Sequence, residues 1–176
     1  MQNKNMKYRL VVRTDYADGF RKNIYLNKSD TSKKDELTLR YKLNWEIDDS
    51  TIINLVVSKI DMDDPADIWT IDGSLNTLSD RPGMDSQVTD SFGIKITKNY
   101  SNFDLQSFTN ATKTDVVFSY DADWGNAESH FPYIYDYFSE TLRKRDTFSQ
   151  EIRFLSNNPE FSAKNPFEWV FGFEFS

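Results

Sequence analysis

The sequence predicts an all-β chain, an antiparallel up-and-down meander of about seven strands, as read by matching period two along its length. Three observations carry this. Apolar and polar residues alternate through most of the chain, which in a strand sends them to opposite faces. Aromatic residues are in excess, with 14 Phe, 9 Tyr and 4 Trp making 15% of the 176 residues. Long and short connections follow one another in strict alternation, so an up-and-down sheet has every long loop at one end. Strands of roughly nine to twelve residues match the span of a tilted strand across hydrocarbon. Together these describe a partial, open transmembrane β-barrel wall with lipid on one side and a wet lumen on the other.

The strands can be justified in order. Tyr8, Leu10, Val12, Thr14 and Tyr16 oppose Arg9, Val11, Arg13 and Asp15. Leu37, Leu39, Tyr41, Leu43, Trp45 and Ile47 alternate without exception with Thr38, Arg40, Lys42, Asn44 and Glu46. Over 51–62 the facing is ambiguous, because Ile52 and Ile53 are both apolar. Phe92, Ile94, Ile96, Lys98 and Tyr100 oppose Gly93, Lys95, Thr97 and Asn99. In 103–118 a mildly apolar face runs Phe103, Leu105, Ser107, Thr109, Ala111. Phe148, Gln150, Ile152 and Phe154 oppose Ser149, Glu151 and Arg153. Finally Phe167, Trp169, Phe171, Phe173 and Phe175 put five rings on one face, with Glu168, Val170, Gly172, Glu174 and Ser176 on the other. The short connections, 48–50, 101–102 and the somewhat longer 157–166, are rich in residues that tolerate tight turns. The long ones, about 17–36, 63–90 and 119–145, exceed what compact soluble domains normally leave structureless.

Composition narrows the chemistry. A net charge of −7 disfavours nucleic acid, whose binding needs clustered Lys and Arg. The chain has no Cys and one His, which leaves no disulfide, thiolate nucleophile or Cys/His metal set to propose. No run approaches the length of a membrane helix, a test that spanning strands escape because lumen residues dilute them. Met1 to Met6 is not followed by the apolar stretch of a signal peptide. No Gly-rich phosphate loop or nucleophilic triad can be assembled, so no catalytic residue, enzymatic activity or cofactor is expected.

Several segments, in order, resemble the barrel of TonB-dependent outer-membrane receptors. Phe103-Asp-Leu-Gln-Ser-Phe-Thr-Asn110 looks like the family's F-x-L-x-S-x-T strand, and Tyr120-Asp-Ala-Asp-Trp124 is similar to the loop that follows it. Asp146-Thr-Phe-Ser-Gln-Glu-Ile-Arg-Phe-Leu155 and Glu168-Trp-Val-Phe-Gly-Phe-Glu174 resemble the strand pair F-S-Q-E-L-R-L and W-V-x-G-x-Y. Asp18 to Asn23 and Asp35 to Leu43 resemble earlier strands. The resemblance covers most of the chain, its last hairpin being the most specific part. It implies a single partial barrel domain over 1–176 in the outer membrane of a Gram-negative cell, serving active uptake of a nutrient of siderophore, cobalamin or carbohydrate class. The family's plug and TonB-contacting box have no counterpart here, and its barrel has 22 strands. The expectation is a fragment that would not transport alone. Its partners would be outer-membrane lipid, the remaining barrel and plug, and TonB only through that plug.

Candidate sites follow from this layout. The outer loop from Trp124 to Phe138 supplies Trp124, His130, Tyr133 and Tyr135 as ligand contacts by stacking and hydrogen bonding. Arg40, Lys42, Glu151, Arg153, Glu168 and Glu174 are expected to face the lumen, where they line a path, meet the plug or pair across strands. The carboxylates of Asp61 to Asp67 and of Asp121 and Asp123 lack the order of a calcium loop and read as solvated acidic loops. Leu39, Tyr41, Leu43, Trp45, Phe167, Trp169, Phe171 and Phe173 are expected on the convex face, with the first and last strands as open edges. The alternative is a secreted or cell-surface β-sandwich that binds carbohydrate through exposed aromatics.

Overall fold

The computed structural model describes residues 5–156 and 168–176. Nine strands follow in chain order: β1 (Asn5–Ala17), β2 (Lys22–Asn23), β3 (Lys34–Asp48), β4 (Thr51–Pro65), β5 (Asn76–Thr77), β6 (Met84–Asn99), β7 (Phe103–Asp121), β8 (Phe138–Ser156) and β9 (Val170–Phe175). Seven of them form one sheet in the order β1-β3-β4-β6-β7-β8-β9. All six pairings are antiparallel between neighbours along the chain. The sheet is not closed, so β1 and β9 are its edges as expected, although Phe167 lies outside the described residues. β2 and β5 make a separate two-stranded parallel pair in the loops.

Residues directly opposed across a ladder share a face, so the registers can be followed from edge to edge. One row reads Met6, Trp45, Ile53, Ile96, Ser107, Ile152, Phe173. Ile53 therefore joins the apolar face and Ile52 the polar one, which resolves the ambiguity of that strand. Two rows nearer the long loops come Leu10, Tyr41, Val57, Phe92, Ala111 and Phe148. The next row is Val12, Leu39, Lys59, Asp90, Lys113, Asp146, where charges of alternating sign run across β4, β6, β7 and β8. Lys59 pairs with Asp90 at 3.7 Å. On β4, β6, β7 and β8 the continuous apolar belt ends at that line.

The belt also slants. On β3 it runs from Trp45 to Leu37, four rows toward the loops from the Trp45 row, whereas on β8 it runs from Phe154, one row below, to Phe148, two rows above. Its centre therefore moves about 10 Å over four spacings of ~4.8 Å, a slant of roughly 30° against the strands' perpendicular.

Neither face of the sheet has, among the described residues, a second layer to pack on. Among the described residues the only buried apolar side chain is Ala66, while Tyr8 is 75% and Phe173 54% exposed. The accessible surface is 12612 Å², against about 8,900 Å² expected of a compact monomer of this mass. The aromatics are thus not enclosed in a two-sheet sandwich.

The short turns are built by local chemistry. The Asp48 carboxylate accepts hydrogen bonds from the Ser50 amide at 2.8 Å, the Ser50 hydroxyl at 2.7 Å and the Thr51 hydroxyl at 3.1 Å. Lys98 Nζ donates to the Ser50 and Thr51 hydroxyls, both at 2.7 Å. These donors, the Ser50 hydroxyl foremost, hold Asp48 well below the usual carboxylate range.

The long loops are shorter than expected: 18–33, 66–83 and 122–137. The strands extend past the belt, and β8 begins at Phe138, within the span read as loop to residue 145. Beyond the charged row both faces mix polar residues with apolar ones, Val88, Val117 and Leu142 on one and Ile60, Met62, Val116 and Phe118 on the other. The alternation that marks a strand therefore fades although the ladder continues.

Candidate functional site

The three long loops interlock into a cap at one end of the sheet, and their centre is polar. Backbone hydrogen bonds Lys22 N to Leu75 O and Ile24 N to Thr77 O, both 3.1 Å, zip the first loop to the second as the β2–β5 pair. Asn23 and Thr77 are fully buried there. The Asn23 side-chain amide donates to Asp67 Oδ2 at 2.9 Å and to the Ser79 carbonyl at 2.8 Å, and its oxygen accepts from the Leu26 amide at 2.8 Å. Thr77 Oγ1 donates to the same Asp67 oxygen at 2.9 Å. The third loop joins through Asn126, whose amide donates to the Leu78 carbonyl at 2.9 Å, and through Asp80 N to Gly125 O at 2.9 Å. Arg81 pairs with Asp136 and lies over the Phe138 ring at 5.2 Å. The Asn23 side-chain amide and Asp67 Oδ2 are thus engaged several times over, and a buried network of this kind favours one arrangement of its members, although Ser79 Oγ has no partner in it. The carboxylates of Asp67 and Asp64 are engaged here as acceptors, Asp64 from the Asp35 amide at 2.8 Å.

Close backbone approach seats the cap on the sheet. A Cβ on Gly83 would stand 1.8 Å from the Ser119 carbonyl oxygen, so only glycine fits. Asp121, at the end of β7, is buried beneath the cap, and that burial pushes its carboxyl above the usual range, with the Asp123 and Asp80 charges adding to it.

On the third loop the structure brings three of the four expected ligand contacts together. His130 meets Tyr135 edge-on at 5.2 Å, and Tyr133, Tyr135 and Tyr137 follow as near-parallel rings 6.5 and 6.0 Å apart. The Tyr-x-Tyr-x-Tyr spacing in an extended segment explains the ladder, and the same spacing would have added Tyr137 to the set. The ladder is held by its backbone: the Tyr137 amide donates to Asp123 Oδ2 at 2.8 Å and Ala122 N to the Tyr137 carbonyl at 2.7 Å. His130 Nε2 lies 3.0 Å from the Asp123 carbonyl. Trp124, with φ of 63°, is partly exposed and makes no ring contact among the described residues. Phe131 and Ile134 project into solvent at 88% and 77% exposure.

The polar face of the sheet carries the other named residues. Arg40, Lys42, Glu151, Arg153 and Glu174 all fall on it by register, and Glu168 lies just before β9. Near β9, Arg153 forms a two-pronged ion pair with Glu151 and stands over the Phe108 ring at 5.1 Å, with Lys95 Nζ over that ring at 4.9 Å. Glu174 faces Glu151 across the ladder. Glu151 and Arg153 both belong to β8, so this ion pair lies within one strand and the expected pairing of charges across strands is not met here. Near β1 it is met at the two ends of the β1–β3 ladder, by Lys7 with Glu46 and Lys34 with Asp15, both at 3.5 Å. In between, Arg9 faces Lys42 directly, and neither makes an ion pair among the described residues. Among the described residues no cluster of three His, Asp or Glu is arranged to hold a metal. Lys95, Phe108 and Arg9 escaped the sequence reading because each looks like an ordinary strand residue until its cross-strand neighbour is known.

No protein-family model matches this chain, and neither curated proteins nor solved structures yield a match to it.

Proposed function

We propose that this chain forms part of the wall of an outer-membrane β-barrel receptor of the TonB-dependent type. In this role it takes part in nutrient uptake and carries out no catalysis. The observation that carries the reading is the slanted apolar belt, which on β4, β6, β7 and β8 stops at a line of alternating Lys and Asp. Its slant of roughly 30° approaches the 35–45° tilt of strands in membrane barrels. The surplus of accessible surface supports it too, since an unpartnered sheet needs an apolar medium on one face and further strands at its edges. Aromatic rings gather at the short-turn margin, where Tyr100 stacks on Phe103 at 4.7 Å and Phe154 touches Phe103, Phe171 and Phe173, as interfacial girdles do. On this reading β1 and β9 continue into the remaining barrel, the polar face meets the lumen and plug, TonB acts through that plug, and the cap with its tyrosine ladder faces outward to meet a small nutrient.

The test is depth-dependent quenching of single-tryptophan variants by lipids brominated along the acyl chain, after refolding into bilayers. Trp45 and Trp169 should be quenched strongly, while Trp69 and Trp124 in the cap should stay bright. A monodisperse, cooperatively melting monomer in plain buffer, with no tryptophan reached by brominated lipid, would overturn the assignment.

A further inference from the structure

Four cations gather on the polar face, three of them without an anionic partner among the described residues. Arg9, Arg13, Arg40 and Lys42, with Val11 and Thr38, line a concavity of about 350 Å³ on β1 and β3. All four are exposed. Arg9 stands directly across from Lys42, Val11 from Arg40 and Arg13 from Thr38. Opposed side chains lie about 5 Å apart at Cβ and alternate ones on a strand about 6.7 Å, so the four charges surround the concavity. Only Arg13 has an anion nearby, Asp15 at 3.2 Å. Arg9, Arg40 and Lys42 make no ion pair or hydrogen bond among the described residues. Like charges placed opposite each other destabilise a ladder, and a chain of net charge −7 has carboxylates enough to have neutralised them. The row neighbours on β4 and β6 are Val56, Ser58, Ser91 and Gly93, so the positive surface is two strands wide and then stops.

We propose that this surface binds a small multivalent oxyanion, a solute carrying two or more carboxylate or phosphate groups. Guanidinium forks grip such oxygens two at a time, and Lys42 adds a mobile point charge. The volume lies at the low end of small-ligand sites. An acidic polypeptide would call for a longer stripe of cations than two strands provide. The inference does not depend on the membrane assignment, because the patch lies on the face opposite the apolar belt.

The full chain in non-ionic detergent would be titrated calorimetrically with citrate and with pyrophosphate. A ten-residue polyglutamate peptide and a neutral disaccharide would serve as comparisons. Citrate or pyrophosphate should bind with an affinity that falls as salt is raised, and the disaccharide should not bind. R40Q/K42Q should weaken binding at least tenfold, whereas K113Q on the opposite face should leave it unchanged. All three sites are exposed strand positions, and amide-exchange protection of β1 and β3 would confirm that each variant keeps the sheet. Absence of binding, equal binding by R40Q/K42Q, or polyglutamate binding tighter than both small anions would overturn the proposal, the last in favour of a polypeptide occupant.

Discussion

The sheet and the cap are held together by opposite means. In the sheet, backbone ladders are continuous apart from a bulge in β3 between Glu46 and Asp48, and apolar side chains are exposed, Leu10 and Phe148 at 65% and 52%. In the cap the buried side chains are polar, Asn23, Thr31, Asp67, Thr77, Ser79 and Asn126, with the small Ala66 as the one apolar exception, and apolar Phe131 and Ile134 are outside. A water-soluble domain reverses both arrangements. The sheet therefore depends on what surrounds it, because its largest favourable term is realised only when its apolar face leaves water. The cap depends on internal hydrogen bonds and works in water.

The sharpest way to break this contrast is at Gly83. Gly83→Ala forces a methyl group into the Ser119 carbonyl and should cost the cap about 3–5 kcal/mol, with amide protection lost around Asn23 and Thr77 and retained in β6 and β7. Next comes Ile94→Arg, in the middle of the belt. It should cost about 2–4 kcal/mol for the bilayer-folded protein, measured by denaturant titration from vesicles, while Asn110→Arg on the polar face should cost little. Asn23→Ala takes one of two donors from Asp67 and leaves the Ser79 carbonyl and the Leu26 amide without the Asn23 side chain. It should destabilise the cap by about 2–3 kcal/mol with amide protection of the seven-stranded sheet unchanged. The smallest effect is expected from Asp121→Asn. Burial raises the folded-state pKa of Asp121 above its ordinary 3.8, so its ionised form opposes folding at neutral pH and its protonated form does not. The Asn variant should therefore melt slightly higher at neutral pH, with the difference disappearing in acid below that ordinary value. A constant difference across pH would mean that packing, not charge, is responsible.

The sheet was legible in the sequence because period two is a local signal, written afresh in each strand. Leu37 to Ile47 announces its own faces, and only Ile52 and Ile53 needed their neighbours Trp45 and Ile96 to decide between them. Strand ends were not legible. Glu140, Arg143, Lys144, Arg145 and Asp146 put charge on both faces of β8 past the belt, so no alternation marks the strand there. The cap was hidden for another reason. Asn23 reaches partners 44 and 56 residues away, and the same polar residue types are what any turn would contain. Of the proposed ligand contacts, the Tyr133 and Tyr135 pair could be read because the ladder is local, whereas the Arg9–Lys42 opposition required the register.

The parallel β2–β5 pair has a consequence for how the sheet avoids error. A strand that slips by two residues keeps every side chain on its correct face, so hydrophobic pattern alone does not forbid it. Such a slip between β1 and β3, or between β4 and β6, carries its loop about 7 Å along the strand axis. The first and second loops would then no longer meet, and Asn23 would be left without Asp67. The cap thus acts as a vernier, closing only when the hairpins below it are in register, and a population of slipped sheets would be recognised by its open cap.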